Sequence, residues 1–342
     1  KLGLKQPTNG IARSEKEAIQ IANKIDYPVI IRPSYVIGGR AMEIVLNEDH
    51  LKKYINHAVK VSGENPILID SFISNAIEID VDAISDGNKV TIVGLMQHIE
   101  EAGIHSGDSA CCIPPYSLDS EIIDNLKKQS ILLARELQVV GLINIQFAIY
   151  GKDIYVLEAN PRASRTLPFV SKVIGKPIPG IAALIMAGIS KNILEEPKIN
   201  FFAVKEVVLP FNKFPGSDIL LGPEMRSTGE VMGIDKNFAK AYLKSQIASG
   251  IELPDKGTAF VSVKEKDKNP KLLEICKIID NLGIEILATT GTLQFLSKNN
   301  IKAKGVKKAY EGRPNIIDLL TDNKINLVIN TTAGLQSIED SK

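Results

Sequence analysis

The sequence predicts an α/β protein: mixed α+β lobes over residues 1–250, followed by a small Rossmann-like parallel α/β unit. Three observations predict it. Between residues 76 and 158, apolar side chains recur at period two in paired runs joined by short Gly turns. Stretches at 15–25, 49–61 and 121–138 carry a helical apolar stripe. Beyond Pro254-Asp255-Lys256-Gly257, short apolar strands alternate with helices, the pattern of a parallel sheet.

Each element has a local reason. Ser14 caps the first helix, with Glu17 at the capping-box position and Ala18, Ile19, Ala22 and Ile25 as its buried stripe. Pro28 stops it, and residues 29–33 read as a buried strand. Gly38-Gly39-Arg40 lies between two apolar runs, so a hairpin is expected there. A helix over 49–61 leads to a strand at 67–72. Ile77-Glu78-Ile79-Asp80-Val81-Asp82 alternates, which gives a strand with one acidic face, and Gly87-Asn88 turns it into residues 90–95. A helix over 121–138 precedes a hairpin of 143–149 with 154–158, and the Gly- and Pro-rich stretch at 175–180 precedes a small-residue helix ending near Gly188. In the tail, strands are expected at 259–263, 284–288 and 326–330, with helices at 270–282, 292–298 and 316–322.

Composition narrows the function classes. A length of 342 residues with 44% apolar content allows two or three domains with their own cores. A net charge of +1 gives no global pull toward nucleic acid or an anionic membrane, so neither is expected as a partner. The longest apolar run, 178–187, is broken by Pro179 and Gly180 and falls short of the ~18–20 residues a bilayer needs. Residues 1–7 show no signal peptide, and 3 cysteines are too few for a disulfide framework, so a reducing cytoplasm is the expected setting. With no initiator Met and no closing element after 338–342, the chain reads as an excised piece.

The strongest chemical signal is Gln146-Phe147-Ala148 followed by Leu157-Glu158-Ala159-Asn160-Pro161-Arg162-Ala163-Ser164-Arg165. A three-residue loop, Gly151-Lys152-Asp153, sets Gln146 opposite Glu158, and Asn160 shares the face of Glu158. Three oxygen donors then converge, a set that suits Mg2+ sharing its remaining positions with phosphates and water. Arg162 and Arg165 follow where the chain leaves the strand, placed to clamp anionic oxygens bidentately.

This arrangement resembles the magnesium-ATP site of the ATP-grasp superfamily, in which ATP lies between two α+β lobes under a Gly-rich hairpin; Gly38, Gly39 and Arg40 match that cover, and Arg32 matches a cation near the phosphates. Arg32-Pro33-Ser34-Tyr35, the run from His98 to Ser109, Lys205 to Gly216 and Gly222 to Glu230 are similar to the second half of the carbamoyl-phosphate synthetase large-subunit family, over essentially the whole chain. The resemblance implies that Ser71, Ile73 and Glu78 lie along the adenosine pocket and that Gly103, Ile104, His105 and Ser106 contact ribose and phosphate. It further implies that Gln146, Glu158 and Asn160 hold Mg2+ (or Mn2+), and that Asn160, Arg162 and Arg165 act on carbamate and the transferring phosphoryl group. Glu78, His98, Glu100 and Ser109 correspond to residues around a monovalent cation, K+, and Glu100, Asp108 and Glu206 to residues that bind ornithine in some members.

In the tail, Thr289-Thr290-Gly291-Thr292 and Asn330-Thr331-Thr332 follow strands on one sheet edge, where hydroxyls and helix N–H groups make an anion site. The segment resembles the family's methylglyoxal-synthase-like regulatory domain, which implies that Thr289, Thr292, Lys308, Asn330 and Thr332 receive effectors such as UMP or IMP. The implied organisation is an ATP-grasp domain at 1–187 lacking its preceding subdomain, a connecting region at 188–250 and a truncated allosteric domain at 251–342. The implied reaction is ATP-dependent phosphorylation of carbamate to carbamoyl phosphate, for arginine and pyrimidine biosynthesis. A glutaminase small subunit and an oligomer formed through the regulatory domain are the implied partners, and the fragment alone is expected to be inactive. Two alternatives stand beside it: another ATP-grasp ligase such as a biotin carboxylase-type enzyme, and a non-catalytic nucleotide-sensing module.

Overall fold

A computed structural model describes residues 2–34, 39–62, 66–190, 192–209 and 220–331. The chain forms two compact units, Lys1–Gly250 and Ile251–Lys342.

In the first unit, β1 (Asn9–Ala12), β2 (Val29–Pro33), β3 (Glu43–Val45) and β4 (Ile67–Ser71) make an antiparallel sheet of order β1-β4-β2-β3. Helix α1 (Glu15–Ile25) covers it with α2 (Glu48–Ser62), burying Ala18 and Ala22 against Val29, Ile31, Val45, Leu51 and Ile69. The Ser14 hydroxyl accepts from the Glu17 amide at 3.2 Å, and the Glu17 carboxylate accepts from the Arg13 amide at 2.7 Å.

A second sheet has seven strands: β5 (Ile77–Asp86), β6 (Val90–His98), β7 (Cys111–Ile113), β8 (Val140–Tyr150), β9 (Asp153–Asn160), β10 (Phe202–Val208) and β11 (Gly229–Asp235), in the order β11-β10-β7-β6-β5-β8-β9. Every pairing in it is antiparallel. One face is apolar. There Ile79, Val81, Ile143, Ile145, Phe147, Ile154 and Val156 pack beneath α3 (Ser120–Glu136) through Leu126 and Ala134. The opposite face is divided. Ile84, Val93 and Met96 pack under α4 (Leu167–Ile174) and α5 (Ile178–Met186), while the next rows carry Glu78, Asp80, Asp82, Asn144 and Gln146. Helix α6 (Phe238–Ala248) lies against β10 and β11, close enough that only glycine fits at Gly233. Among the described residues no single helix is long and apolar enough to cross a membrane.

The second unit is a parallel sheet of β12 (Thr258–Ser262), β13 (Glu285–Ala288), β14 (Lys304–Gly305) and β15 (Leu327–Asn330), in the order β14-β13-β12-β15. Its helices are α7 (Pro270–Asn281), α8 (Thr290–Lys298) and α9 (Ile316–Thr321). Leu272, Cys276 and Ile279 of α7 and Leu296 of α8 fill the core with Ala259, Val261 and Ile286.

Two local readings need correction. Helix α8 begins at Thr290 with Thr289 as its N-cap, two residues before the expected start, because the Thr292 hydroxyl is taken by the Val263 amide at 3.2 Å. The β8–β9 turn is two residues, Gly151-Lys152, since Tyr150 pairs with Asp153; Gly151 alone takes positive φ (61°), as a type II′ turn requires. Gln146 still faces Glu158 because a β-bulge at Leu157 adds one residue to β9.

Candidate active site

The site is built on the polar face of the seven-stranded sheet. Gln146 on β8 has Asp80 of β5 as its partner on one side and Glu158 of β9 on the other. Directly paired residues point to the same side, so these three share a face. Asn160, two residues on, donates its Nδ2 to Glu158 Oε1 at 2.7 Å, which leaves its own oxygen as acceptor. One carboxylate and two amide oxygens, half-exposed, form a hard donor set of the kind Mg2+ takes. Among the described residues no three His, Cys, Asp or Glu side chains converge on a metal position, so any cation here depends on the amides.

Arg32 reaches this set from the other sheet. Its Nε and Nη2 sit on Asp70 Oδ2 at 2.9 and 2.8 Å, and Nη1 lies 3.6 Å from Glu158 Oε2. Burial raises the Asp70 pKa, outweighing the help of Arg32. Asp70 thus fixes the guanidinium at the mouth of the donor set. An acid inside the apolar run 67–72 is the signal that would have revealed it.

Beneath the donors lies a buried polar row. Asp80 Oδ2 accepts from His98 Nε2 at 2.8 Å, and His98 Nδ1 is 3.4 Å from Glu78 Oε2. Burial works against the imidazolium, yet Cys111, Asp80 and Glu78 together raise the His98 pKa well above its ordinary value. Burial likewise opposes ionisation of Asp80, but its bonds from His98, Asn144 and Gln146 hold its pKa low. Asn144, absent from the sequence expectations, is the period-two neighbour of Gln146 and bridges Asp80 and Asp82.

Glu78 organises the loop that follows β6: its Oε1 accepts from the Gly103 amide at 2.8 Å. Gly103 takes φ of 93° with Ile44 and Phe72 against the position of a Cβ, so only glycine fits. His105 donates its amide to Gly222 O at 2.8 Å and accepts the Gly107 amide on Nδ1 at 2.9 Å. Burial lowers its pKa, and the Arg165 charge adds to that against the opposing charges of Asp108, Asp80 and Glu158. The carbonyl of Ser106 accepts from Lys205 Nζ at 3.0 Å. Ile104 is half-buried in the same loop, and Ser71 and Ile73 are half-buried at the end of β4, where the Ser71 amide bonds to Thr8 O at 2.8 Å.

Arg162 and Arg165 are exposed on the turn after β9, the former donating to Ala163 O at 2.9 Å. Gly39 has φ of 67° and would press a Cβ into Pro223 O, and Arg40 beside it is exposed. Gly38 lies outside the described residues.

The expected ornithine group is less open. Asp108 is fully buried, its oxygens accepting from the Arg226 and Ser227 amides at 2.7 and 2.8 Å. Burial, then the Glu206 charge, raises the Glu100 pKa; burial also raises that of Glu206, which accepts from Val207 N and Gln246 Nε2. Ser109 Oγ is directed at the carbonyls of Ile104 and His105.

In the second unit, Thr289, Thr292, Lys308 and Asn330 line one cavity of about 240 Å³ at the C-terminal sheet edge. Ser262, Lys264 and Lys268 line it too; the sequence reading missed them because nothing in the spacing separates a cavity lysine from a surface one. Thr332 lies outside the described residues.

Two lobes, one an antiparallel sheet with Gly39 and Arg40 between its paired strands β2 and β3, the other a hairpin with oxygen donors, define an ATP-grasp fold. Residues 3–194 match the family described as carbamoyl-phosphate synthase L chain, ATP binding domain, and residues 271–342 match the MGS-like domain. The chain is 52% identical to the carbamoyl phosphate synthase large chain, C-terminal section, of Aquifex aeolicus, over 99% of this chain and 67% of that protein. It is 53% identical to the carbamoyl phosphate synthase large chain of Pseudomonas syringae pv. tomato, over 100% of this chain. It spans only 32% of that relative's length. Among solved structures, biotin carboxylase from Campylobacter jejuni, in complex with β,γ-ATP, superposes with TM-score 0.59 at 20% identity, over 72% of this chain and 63% of that one, a likeness of fold alone. The chain belongs to the carbamoyl-phosphate synthase large-chain family.

Proposed function

We propose that this chain carries the ATP-dependent phosphorylation of carbamate to carbamoyl phosphate. The observation that carries the reading is the convergence of Gln146, Glu158 and Asn160 on one sheet face, with Arg32 reaching Glu158 from the other sheet and the Arg162–Arg165 turn leaving the same strand. A carbamate oxygen attacks the γ-phosphorus as the bond to ADP breaks, so positioning and charge neutralisation carry the rate.

Gln146, Glu158 and Asn160 hold Mg2+ in this reading; when bound, it neutralises charge on the phosphate oxygens. Arg32, held by Asp70, supplies a fixed positive charge to the phosphates. Arg162 and Arg165 orient carbamate and the transferring phosphoryl group, and the segment bearing Gly38, Gly39 and Arg40 excludes water. Ser71, Ile73, Glu78 and residues 103–106 receive the nucleoside. In the second unit, the cavity with five hydroxyl or amide side chains and three lysines is suited to a nucleoside monophosphate such as UMP or IMP. A monovalent cation near Glu78 and Glu100, ornithine near Glu100 and Glu206, and a glutaminase partner remain part of the same reading, by family resemblance.

The test is reverse chemistry. The full-length gene product, given ADP, carbamoyl phosphate and Mg2+, forms ATP; Glu158→Gln lowers that rate by about a hundredfold or more while the fold is retained. A fully active Glu158→Gln enzyme removes the metal role, and an inactive wild type removes the reaction.

A further inference from the structure

Behind the arginine turn lies a carboxylate with no part in the chemistry above. Asp82 is 2% exposed on β5, two residues from Asp80 and on the same face. Its Oδ1 accepts from Asn144 Nδ2 at 3.1 Å, and the same Nδ2 reaches Asp80 Oδ1 at 3.2 Å. Its Oδ2 accepts from the Thr166 hydroxyl at 3.2 Å, and Thr166 Oγ1 is 3.0 Å from Ser164 Oγ.

Thr166 explains why this matters. It is the N-cap of α4, a position where threonine ordinarily turns its hydroxyl onto the helix's own amides. Here it makes no such bond. The hydroxyl is spent on Asp82, and Thr166 is 1% exposed. Ser164 and Thr166 flank Arg165, so the turn is held on both sides of that residue by hydroxyls that lead to one buried carboxylate. A β-sheet interior does not take up an unpaired acid without cost, and this one is surrounded by donors that belong to the turn.

We propose that Asp82 is the positioning residue of the arginine turn, gripping Thr166 and through it Ser164, and so fixing where Arg165 meets the anionic substrate. This rests on the carbamate-phosphorylating reading for the identity of that substrate. Asp82 is bonded to Asn144 and Thr166 rather than to Gln146, Glu158 or Asn160; it acts through the turn. Asn144 extends the grip to Asp80, and from there to the strand bearing Gln146, so donors and arginines are set by one connected network.

The experiment uses the full-length protein with Asp82→Ala, Thr166→Val, Thr166→Ser and the double variant Asp82→Ala/Thr166→Val. In ATP formation from ADP and carbamoyl phosphate, Asp82→Ala and Thr166→Val each lower kcat/KM for carbamoyl phosphate by about 10–100-fold, the scale of a misplaced orienting group. KM for ADP stays within about twofold. Thr166→Ser, which keeps the hydroxyl, restores most of the loss. The double variant is no worse than the poorer single one, because both break the same link. Equal damage to both substrates, or a Thr166→Ser enzyme no better than Thr166→Val, overturns the role. A second measurement does not need turnover: tryptic cleavage after Arg162 and Arg165 speeds up by about fivefold or more in Asp82→Ala and Thr166→Val as the turn is released. Unchanged cleavage refutes the proposal even if wild type makes no ATP, an outcome that sinks the reaction instead.

Discussion

Lys205 is the sharpest test of how the loop over residues 103–109 is held. Its side chain is fully buried on β10, yet its ammonium is satisfied: Nζ donates to Ser106 O at 3.0 Å and Gly107 O at 3.5 Å, and lies 3.7 Å from Glu230 Oε1. Replacing it by Met keeps the length and removes the charge. The shorter bond is charge-assisted and contributes about 1.5–3 kcal/mol; the 3.5 Å contact is marginal. Orphaning the Ser106 carbonyl costs about 1–3 kcal/mol more. Glu230 is 31% exposed, so water replaces much of its attraction and that pair adds little. The hydrogen-bond contribution is already net of desolvating the ammonium, and relaxation of the loop, which lets water reach the Ser106 carbonyl, offsets part of the second loss. The net is a destabilisation of about 2–4 kcal/mol. For a unit of this size each kcal/mol lowers Tm by roughly 2–4 °C, so Lys205→Met melts about 5–15 °C below wild type. Differential scanning fluorimetry reads this directly, with hydrogen exchange at residues 105–109 rising alongside. A variant melting within about 2 °C of wild type, its loop still protected, refutes the claim that this lysine holds the loop.

Two further outcomes follow from other sites. Burial, reinforced by the Asp80 charge, pushes the Asp82 pKa up to about 7 from 3.8. The folded state then keeps a proton that the unfolded chain has lost, so this stabilisation is full below the unfolded value and fades as pH rises through the folded one. Asp82→Asn therefore gains stability relative to wild type between about pH 4 and pH 8, by on the order of a few kcal/mol; urea titrations with parallel pH profiles would contradict this. In the second unit, Thr292→Ala weakens binding of UMP or IMP by about tenfold in calorimetry, the loss of one hydrogen bond, and equal affinity in both proteins dismisses the cavity as the nucleotide site.

The elements visible in the sequence were those with strong periodicity or a cap. Ser14 and Glu17 announced α1, and the alternation from Ile77 to Asp82 announced β5 with its acidic face. Helix α4 was not visible. It has eight residues, Leu167, Phe169, Val170 and Val173 are buried, and Lys172 is its one charged residue, so no polar stripe contrasts with the apolar one. Asp70 and Asn144 were hidden for a different reason. Each is a polar residue inside a mainly apolar strand, and what it does depends on a residue far away in the chain: Arg32 for Asp70, Asp80 and Asp82 for Asn144.

The β8–β9 hairpin shows how the sequence held more than the spacing revealed. A regular strand sends Ile154, Val156, Glu158 and Asn160 to one face, which would drive a carboxylate into the apolar core. A three-residue turn with regular pairing keeps Gln146 opposite Glu158, but it sets Val156 opposite Ala148 and drags it to the polar side. Neither arrangement satisfies both halves of β9. The structure resolves the conflict with a two-residue turn, which pairs Ile154 with Ile149 and Val156 with Phe147 in the core, and then a bulge at Leu157. Beyond the bulge the facing is reversed. Ala159 now packs against the apolar cluster, and Glu158 and Asn160 emerge beside Gln146. Apolar and acidic residues at the same parity within one short strand were thus the signature of a bulge. The bulge is what lets a single strand serve the core with its first half and the polar oxygen-donor face with its second.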